Sequence, residues 1–404
     1  MKQLLKFELK KILNKKSSLI AMTLGLLLII VSNISLIRQE SLYLGGKNDL
    51  EGVPAIKKQT EIENALTSEL SEEFLTGFLK DYQLRSENNP DKDYFSLIAP
   101  KSDLFSLIAA NYTEWNANWD WEDLNKINTE NGIGFYERRI EKIDNLLNSE
   151  YSFGNYTQTE KDYWLKKAKS VNTPFKWGSK NTWDKIWNSI TLLIYLLFVI
   201  SICIAPVFAG EYQNRTDALL LSTKHGKNKL ISAKIMASFI FTFIYIALCS
   251  AVSIGINVAI LGTDGWNLPV QLWDTIIPYK YTAIEICGIN LLIIFLISFL
   301  LTAISLLLSS INRSPMIVLA VDVILFFGTI FIPFSKTSRL WNRILYLLPI
   351  HSFNLQDVLK TYNSYQFGDV VISYLGMIFI VYVLITVICI FLTSKSFKKH
   401  QVGK

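Results

Sequence analysis

The residues best equipped for chemistry in this chain are few, and they sit beside or inside apolar stretches. The run Phe208-Ala-Gly-Glu211-Tyr212-Gln-Asn-Arg215-Thr216-Asp217 continues into Leu219, Leu220 and Leu221, then Lys224, Gly226, Lys227, Lys229 and Lys234. Acids first and bases last suit a helix dipole, and Gly226 stops the helix. A short amphipathic helix over 209–224, parallel to a membrane, would offer a compact knob to a partner. A solvated connector is an equal alternative. Asp322 lies within another apolar run, where a carboxylate costs at least a few kcal/mol unless paired or wetted. Asn188, Asn257 and Asn290 lie in or near further runs. All four are candidates for lining a conduit, with helix packing and interhelical hydrogen bonding as the bland alternative.

Enzyme chemistry is not expected. There is no G-x-x-x-x-G-K-[ST] phosphate loop, no G-x-S-x-G, no H-E-x-x-H and no pair of intramembrane carboxylates. The three histidines, His225, His351 and His400, have no partner at metal or triad spacing. Cys203, Cys249, Cys287 and Cys389 all fall in apolar runs, which excludes a C-x-x-C zinc site and a disulfide in the hydrophilic part. No cofactor is expected in this chain.

The elements that hold these residues follow from hydropathy. The 404 residues are 50% hydrophobic and only 18% charged. Residues 38–182 carry close to half of the Lys and Arg and most of the acids. The net charge of +6 flanks apolar segments instead of forming one basic face, so nucleic acid is not an expected partner. Six runs can each cross a ~30 Å hydrocarbon layer: Ser18–Ile37, Ile190–Phe208, Ile235–Leu261, Ile284–Leu308, Met316–Phe334 and Val370–Leu392. No small-x-small cleavage site follows Ile37, so the first run reads as a span and not as a signal peptide. Residues 1–16 form a basic amphipathic helix with Leu5, Leu9, Ile12 and Leu13 on one side.

The expected fold is therefore an all-α polytopic membrane protein. Its parts are an interface helix (1–16), span one (17–37), a mostly helical extracytoplasmic domain (38–182), spans two to six (183–392) and a basic tail (393–404). Six Lys before span one, the bases of 209–234 and those of the tail place both termini in the cytoplasm. The connection 335–369, with Lys336, Arg339, Arg343 and Lys360, fits that orientation less well. Within 38–182, Ile62, Leu66, Leu70, Phe74, Phe78 and Tyr82 predict one continuous helical stripe, and 135–147 and 160–168 predict two more helices. The block is long enough for an independent core. Trp183 and Trp187 read as an interfacial aromatic anchor. Tyr94, Phe95, Phe105, Trp115, Trp119 and Trp121 read as core, or as a groove for a peptide or lipid.

The stretch from Phe208 resembles the first cytoplasmic loop of ABC-2-type transporter permeases, in which F-x-x-E-x-x-x-x-T precedes an apolar run, a glycine and bases. Phe208, Glu211 and Thr216 stand at similar places, and Arg215-Thr216-Asp217 is similar to the family's continuation. The six-span layout, the N-terminal helix and the segment Leu345–Phe353 extend the likeness over 1–37 and about 185–404. The large block between spans one and two departs from the simplest members, and Trp164 to Gly178 looks like the end of insertions found in some Gram-positive members. The resemblance implies a coupling helix that docks on a cytosolic ABC ATPase, which binds the ATP and Mg. It also implies a second permease copy or a paralogue, a re-entrant outer segment near 340–369, and a bacterial plasma membrane location. Hydrophobic or antimicrobial peptides are the first expectation for an exported substrate, with drugs, lipids and sodium ions as alternatives. A ligand-binding membrane sensor is the rival, weakened by the shortness of every cytoplasmic segment. A membrane-embedded enzyme ranks third.

Overall fold

Runs of Leu, Ile, Val and Phe without charge leave the backbone no water to bond, so helices are the form that satisfies them. The computed structural model describes residues 1–44, 49–88, 98–113, 121–149, 155–216, 229–335, 337–353 and 355–399. It opens with α1 (Lys2–Asn14) and α2 (Lys16–Arg38), separated by Lys15 in an extended conformation. Leu5, Leu9 and Ile12 pack on the main core, whereas Leu13 faces outward. On α2 the buried positions are Ser18, Ala21, Gly25, Ile29, Asn33 and Ile37, so the inner face is built largely from small residues. That face allows close approach: a Cβ on Gly25 would stand 2.4 Å from the Tyr245 hydroxyl and 2.8 Å from a Val199 methyl.

The hydrophilic block holds α3 (Gly52–Leu66), α4 (Glu72–Asn88), α5 (Ser102–Tyr112), α6 (Phe135–Asn148) and α7 (Gln158–Lys169). Two antiparallel strand pairs accompany them, β1 (Ser41–Leu42) with β2 (Leu50–Glu51) and β3 (Glu69–Leu70) with β4 (Phe175–Lys176). The stripe expected to run unbroken from Ile62 to Tyr82 is interrupted. Thr67 is extended, its hydroxyl donates to the Glu69 carbonyl (2.9 Å), and Ser71 caps α4 by accepting from the Phe74 amide (3.1 Å). Hydroxyl side chains bonding nearby backbone outcompete helix continuation. Leu70 consequently pairs with Phe175 across the strands.

The expected independent core of this block is shared instead. Leu70, Leu75, Leu79, Leu104, Ile108 and Phe135 pack with Leu268 and Leu272 from the 262–282 connection. Ile143, Leu147, Trp164 and Ala168 belong to the same core as the long helices. Phe105 is buried between Phe78 and Tyr82, at 4.8 and 4.7 Å. Tyr94, Phe95, Trp115, Trp119 and the Trp121 side chain lie outside the described residues.

The bundle continues with α8 (Asn181–Gln213), α9 (Lys229–Leu261) and α10 (Ala283–Ile311). Then come α11 (Pro315–Phe331), α12 (Arg339–Tyr346), the hairpin β5 (Ser364–Phe367) and β6 (Val370–Ser373), and α13 (Tyr374–Lys399). Among the described residues, five helices (α2, α8, α9, α10 and α13) are long and apolar enough to cross a membrane. The fifth expected run is the shorter α11. The sixth begins at Tyr374, not at Val370. Gly368 at φ +60° turns the chain, and the β-branched Val-Val-Ile pairs back along β5. Helix α10 lies at the centre, packed against α8, α9, α11 and α13. Trp183 and Trp187 are buried, with the Trp183 indole donating to the Thr263 carbonyl and the Trp187 ring tilted against Trp273, so they pack the 262–282 connection and are not the exposed aromatic anchor expected.

Candidate functional site

Glu211 lies in the last turn of α8, where the helix dipole disfavours a negative charge. The expected acid-first dipole arrangement is therefore not what holds it. Lys234 is inside α9 and only 1% exposed, not in a solvated basic flank. Its ammonium donates to Glu211 Oε1 (2.6 Å), to Glu8 Oε2 (3.0 Å) and to the Val207 carbonyl (3.1 Å), which uses all three protons. Lys11 donates to Glu8 Oε1 and to Glu211 Oε1, both at 3.1 Å. Burial pulls the Lys11 pKa down, but Glu211 and Glu8 outweigh it and hold the pKa above the ordinary lysine value. Two glutamates and two lysines thus neutralise one another where α1, α8 and α9 meet.

The neighbouring residues fasten the same end of α8 to α10 and α13. Pro206 breaks the regular ladder of α8. Ser309 of α10 fills in: its hydroxyl accepts from the Phe208 and Ala209 amides (3.0 and 2.9 Å) and donates to the Ala205 carbonyl (2.7 Å). Phe208 is fully buried, 4.9 Å from the Phe397 ring, with the Lys234 ammonium 5.5 Å from its centroid. Tyr212 donates to the Ser310 carbonyl (3.2 Å). Helix α8 then ends in a Schellman arrangement. Arg215 takes the left-handed conformation (φ +56°) usual for glycine and bonds back to Tyr212, while the Thr216 amide reaches the Glu211 carbonyl at 3.0 Å. Asp217, Leu219, Leu220 and Leu221 lie outside the described residues.

The four conduit candidates are not brought together. Asp322 of α11 is 1% exposed. It accepts from Ser201 of α8, Ser305 of α10 approaches the same carboxyl, and Oδ1 has no donor. Asn257 belongs to a buried network joining α2, α8 and α9: its amide donates to Asn33 Oδ1 (2.7 Å) and to the Ser189 hydroxyl (3.4 Å), and Asn33 donates to Ser253 (3.1 Å). Asn188 donates to Asp184 on its own helix (3.0 Å). Asn290 is fully buried in α10 with neither amide atom partnered.

At the opposite end, a second buried charge cluster fastens the hydrophilic block to the long helices. Glu160, the capping-box residue of α7, is 0% exposed. It accepts two bonds from Arg339 (2.7 and 2.9 Å), one from Arg343 and one from the Ser364 hydroxyl (2.9 Å). Arg139 is buried and donates to the carbonyls of Ala168, Thr275 and Ile277. Lys360 pairs with Asp274 at 3.3 Å. Of the bases that fit the orientation rule poorly, Arg339, Arg343 and Lys360 are therefore bound to carboxylates of the block and of the 262–282 connection, and Lys336 lies outside the described residues. Sequence reasoning missed the partners in both clusters. Glu8 did leave a signal: it is the single acid among six lysines in 1–16, and it falls in helical register with Leu5 and Ile12.

Comparison with known proteins bears on what this bundle is. No curated protein matches the chain. The family model described as ABC-2 family transporter protein matches residues 4–402. A match over nearly the whole length, on a polytopic helical bundle, makes this chain a member of the ABC-2 transporter family, whose members are transmembrane permease subunits and not themselves the ATPase.

Proposed function

We propose that this chain is the permease half of an ATP-binding-cassette exporter of the bacterial plasma membrane. Its energy comes from ATP and Mg held by a separate cytosolic ATPase. The observation that carries the reading is the Glu8–Lys234–Glu211–Lys11 cluster. It locks the end of α8 to both α1 and α9 through Glu211, at the start of the 209–224 segment that the resemblance assigns to ATPase docking. A push on that segment moves three helices together, because buried paired charges resist separation: removing one partner costs about 3–5 kcal/mol. In this reading both termini are cytoplasmic, and residues 38–182 form an outer domain. Exposed apolar side chains on α11, such as Met316 (73%), Ile324 (66%) and Phe331 (86%), face lipid or a second permease copy. The outer block, fastened over the ends of the spans, favours a bulky substrate, with a hydrophobic or antimicrobial peptide first.

The test is co-purification of the partner ATPase and peptide transport in inverted vesicles, for Lys234→Ala and Glu211→Ala against wild type. Transport should fall at least tenfold while the chain remains in the membrane. Undiminished transport in both variants would remove the coupling role from this cluster.

A further inference from the structure

Between α1 and the end of α8 opens a cavity of about 490 Å³. Phe7, Lys11 and Lys15 follow one another at spacings of four along one wall, with Ile12 beside them. Pro206, Val207, Asn214 and Thr216 belong to the α8 side. The lining is uneven in charge: Lys11, Lys15 and Lys234 stand against Glu8 and Glu211. Both glutamates are already spent. Lys11 and Lys234 bind them, and their side chains are only 4% and 10% exposed. What the cavity offers is therefore a set of donors. Lys15 is exposed and has no ion pair among the described residues. Lys11 is 39% exposed and uses two of its three protons on the glutamates. Asn214 adds an exposed carboxamide. A matched ligand brings one negative charge and hydrogen-bond acceptors, whereas an ammonium finds no free carboxylate to receive it.

The chain also fixes the depth of this site. Lys15 and Lys16 lead into α2, a helix long and apolar enough to cross a membrane. Leu19, Ile20 and Leu24 follow them, each about half exposed or more. The basic rim thus sits where headgroups give way to acyl chains. Phe7, 58% exposed, continues the apolar wall outward. A small soluble anion would leave that wall in water.

We propose that this cavity holds one anionic phospholipid with an uncharged hydroxyl headgroup, of the phosphatidylglycerol kind. Its phosphodiester accepts from Lys15 and from the third Lys11 proton. The headgroup hydroxyls lie by Asn214 and Thr216, and the acyl chains pass over Phe7 and along α2. Phosphatidylethanolamine and phosphatidylcholine bring the same phosphate, but their cationic groups meet an excess of lysine and no available acid, so both are disfavoured. The proposal is independent of the coupling reading, because it is measured with no ATPase present.

The full chain is incorporated into nanodiscs containing equal amounts of phosphatidylglycerol, phosphatidylethanolamine and phosphatidylcholine, and retained lipid is read by native mass spectrometry. One phosphatidylglycerol per chain should be retained, enriched about tenfold over either zwitterion, as expected for one charge-assisted hydrogen bond. Lys15→Gln should remove most of the enrichment. Lys16→Gln tests for a diffuse basic surface: Lys16 is adjacent and also exposed but lies outside the lining, so its loss should leave the enrichment in place. Equal retention of the three lipids by wild type, preference for a zwitterion, no retained lipid, an unchanged Lys15→Gln variant, or equal losses in the two variants overturns the proposal. Displacement of the retained lipid by soluble sn-glycerol 3-phosphate at matched concentration would make this a site for a free organophosphate and overturn the lipid assignment.

Discussion

Replacing Glu160 with alanine should release α12 from the hydrophilic block without unfolding the bundle. The Glu160 carboxylate is fully buried and receives bonds from Arg339, Arg343, Ser364 and the Thr157 amide. Burial alone would raise its pKa, but the Arg339 hydrogen bonds and charge, the Thr157 amide and the Arg343 charge outweigh that and hold it below the ordinary 4.5. Its contribution to stability is therefore present above pH 4.5 and is lost as pH falls through the lowered value. Removing the carboxylate strands two guanidinium groups whose side chains are 13% and 21% exposed. Breaking a buried pair costs about 3–5 kcal/mol, and partial exposure of the arginines argues for the lower end, about 3. That corresponds to roughly a hundredfold faster local opening. Hydrogen exchange followed by mass spectrometry should show this increase in peptides spanning 339–346 and 155–169, with 235–261 unchanged. Arg339→Ala in the Glu160→Ala background should add little, giving a coupling of at least ~1 kcal/mol in the double-mutant cycle. Unchanged exchange at 339–346, or strictly additive single effects, would refute the clasp.

Two further outcomes are expected. Glu63 is buried beside Asp103, and desolvation followed by that charge pushes its carboxyl up to about 7 from the ordinary 4.5. The folded chain therefore holds a proton that the unfolded chain lacks, and stability rises as pH falls from 8 toward 5. Glu63→Gln should melt higher than wild type at pH 8, by the equivalent of up to about 3 kcal/mol, with the gap nearly closed at pH 5; a gap independent of pH removes the argument. Gly25→Ala should lower the melting temperature in detergent by the equivalent of about 1–3 kcal/mol, because its Cβ meets the Tyr245 hydroxyl and Val199. Melting at or above the wild-type temperature would show that α2 has room to spare.

Hydropathy located the long helices because a continuous apolar run of about 20 residues satisfies its own backbone in lipid as a helix, and amphipathic spacing located α6 and α7 within a residue or two. What escaped was decided locally or at long range. A spacing of fours continued through Thr67 and Ser71, yet their hydroxyls bonded nearby backbone and split the helix. The apolar run from Val370 looked like membrane, but a turn at Gly368 with β-branched residues after it made a hairpin. Phe208, Glu211 and Thr216 were legible as special through the motif their stretch resembles, whereas spacing and charge alone left a knob and a solvated connector equally open. The partners in the cluster were not legible: Glu211 meets Lys11 across 200 positions, and Lys234 meets Glu8 across 226. No periodicity within one chain relates residues that far apart.

The two charge clusters differ in a way that bears on how the molecule moves. The one between α1, α8 and α9 balances two acids against two bases, while the Glu160 clasp sets one acid against two arginines. A balanced set whose Glu8, Glu211 and Lys234 are buried has little to gain from water, even with Lys11 at its edge 39% exposed, so it should travel as a unit when the end of α8 is displaced. The clasp carries an excess positive charge, and its arginines already touch solvent. It is thus the easier of the two to open, since each guanidinium can rehydrate. A transport cycle that repacks helices should therefore keep the α1–α8–α9 junction rigid and find its compliance at α12. Hydrogen exchange should show that order of protection in the resting wild-type chain: slow amides at 230–238, fast ones at 339–346. The reverse order would mean that the junction, not the clasp, is the hinge.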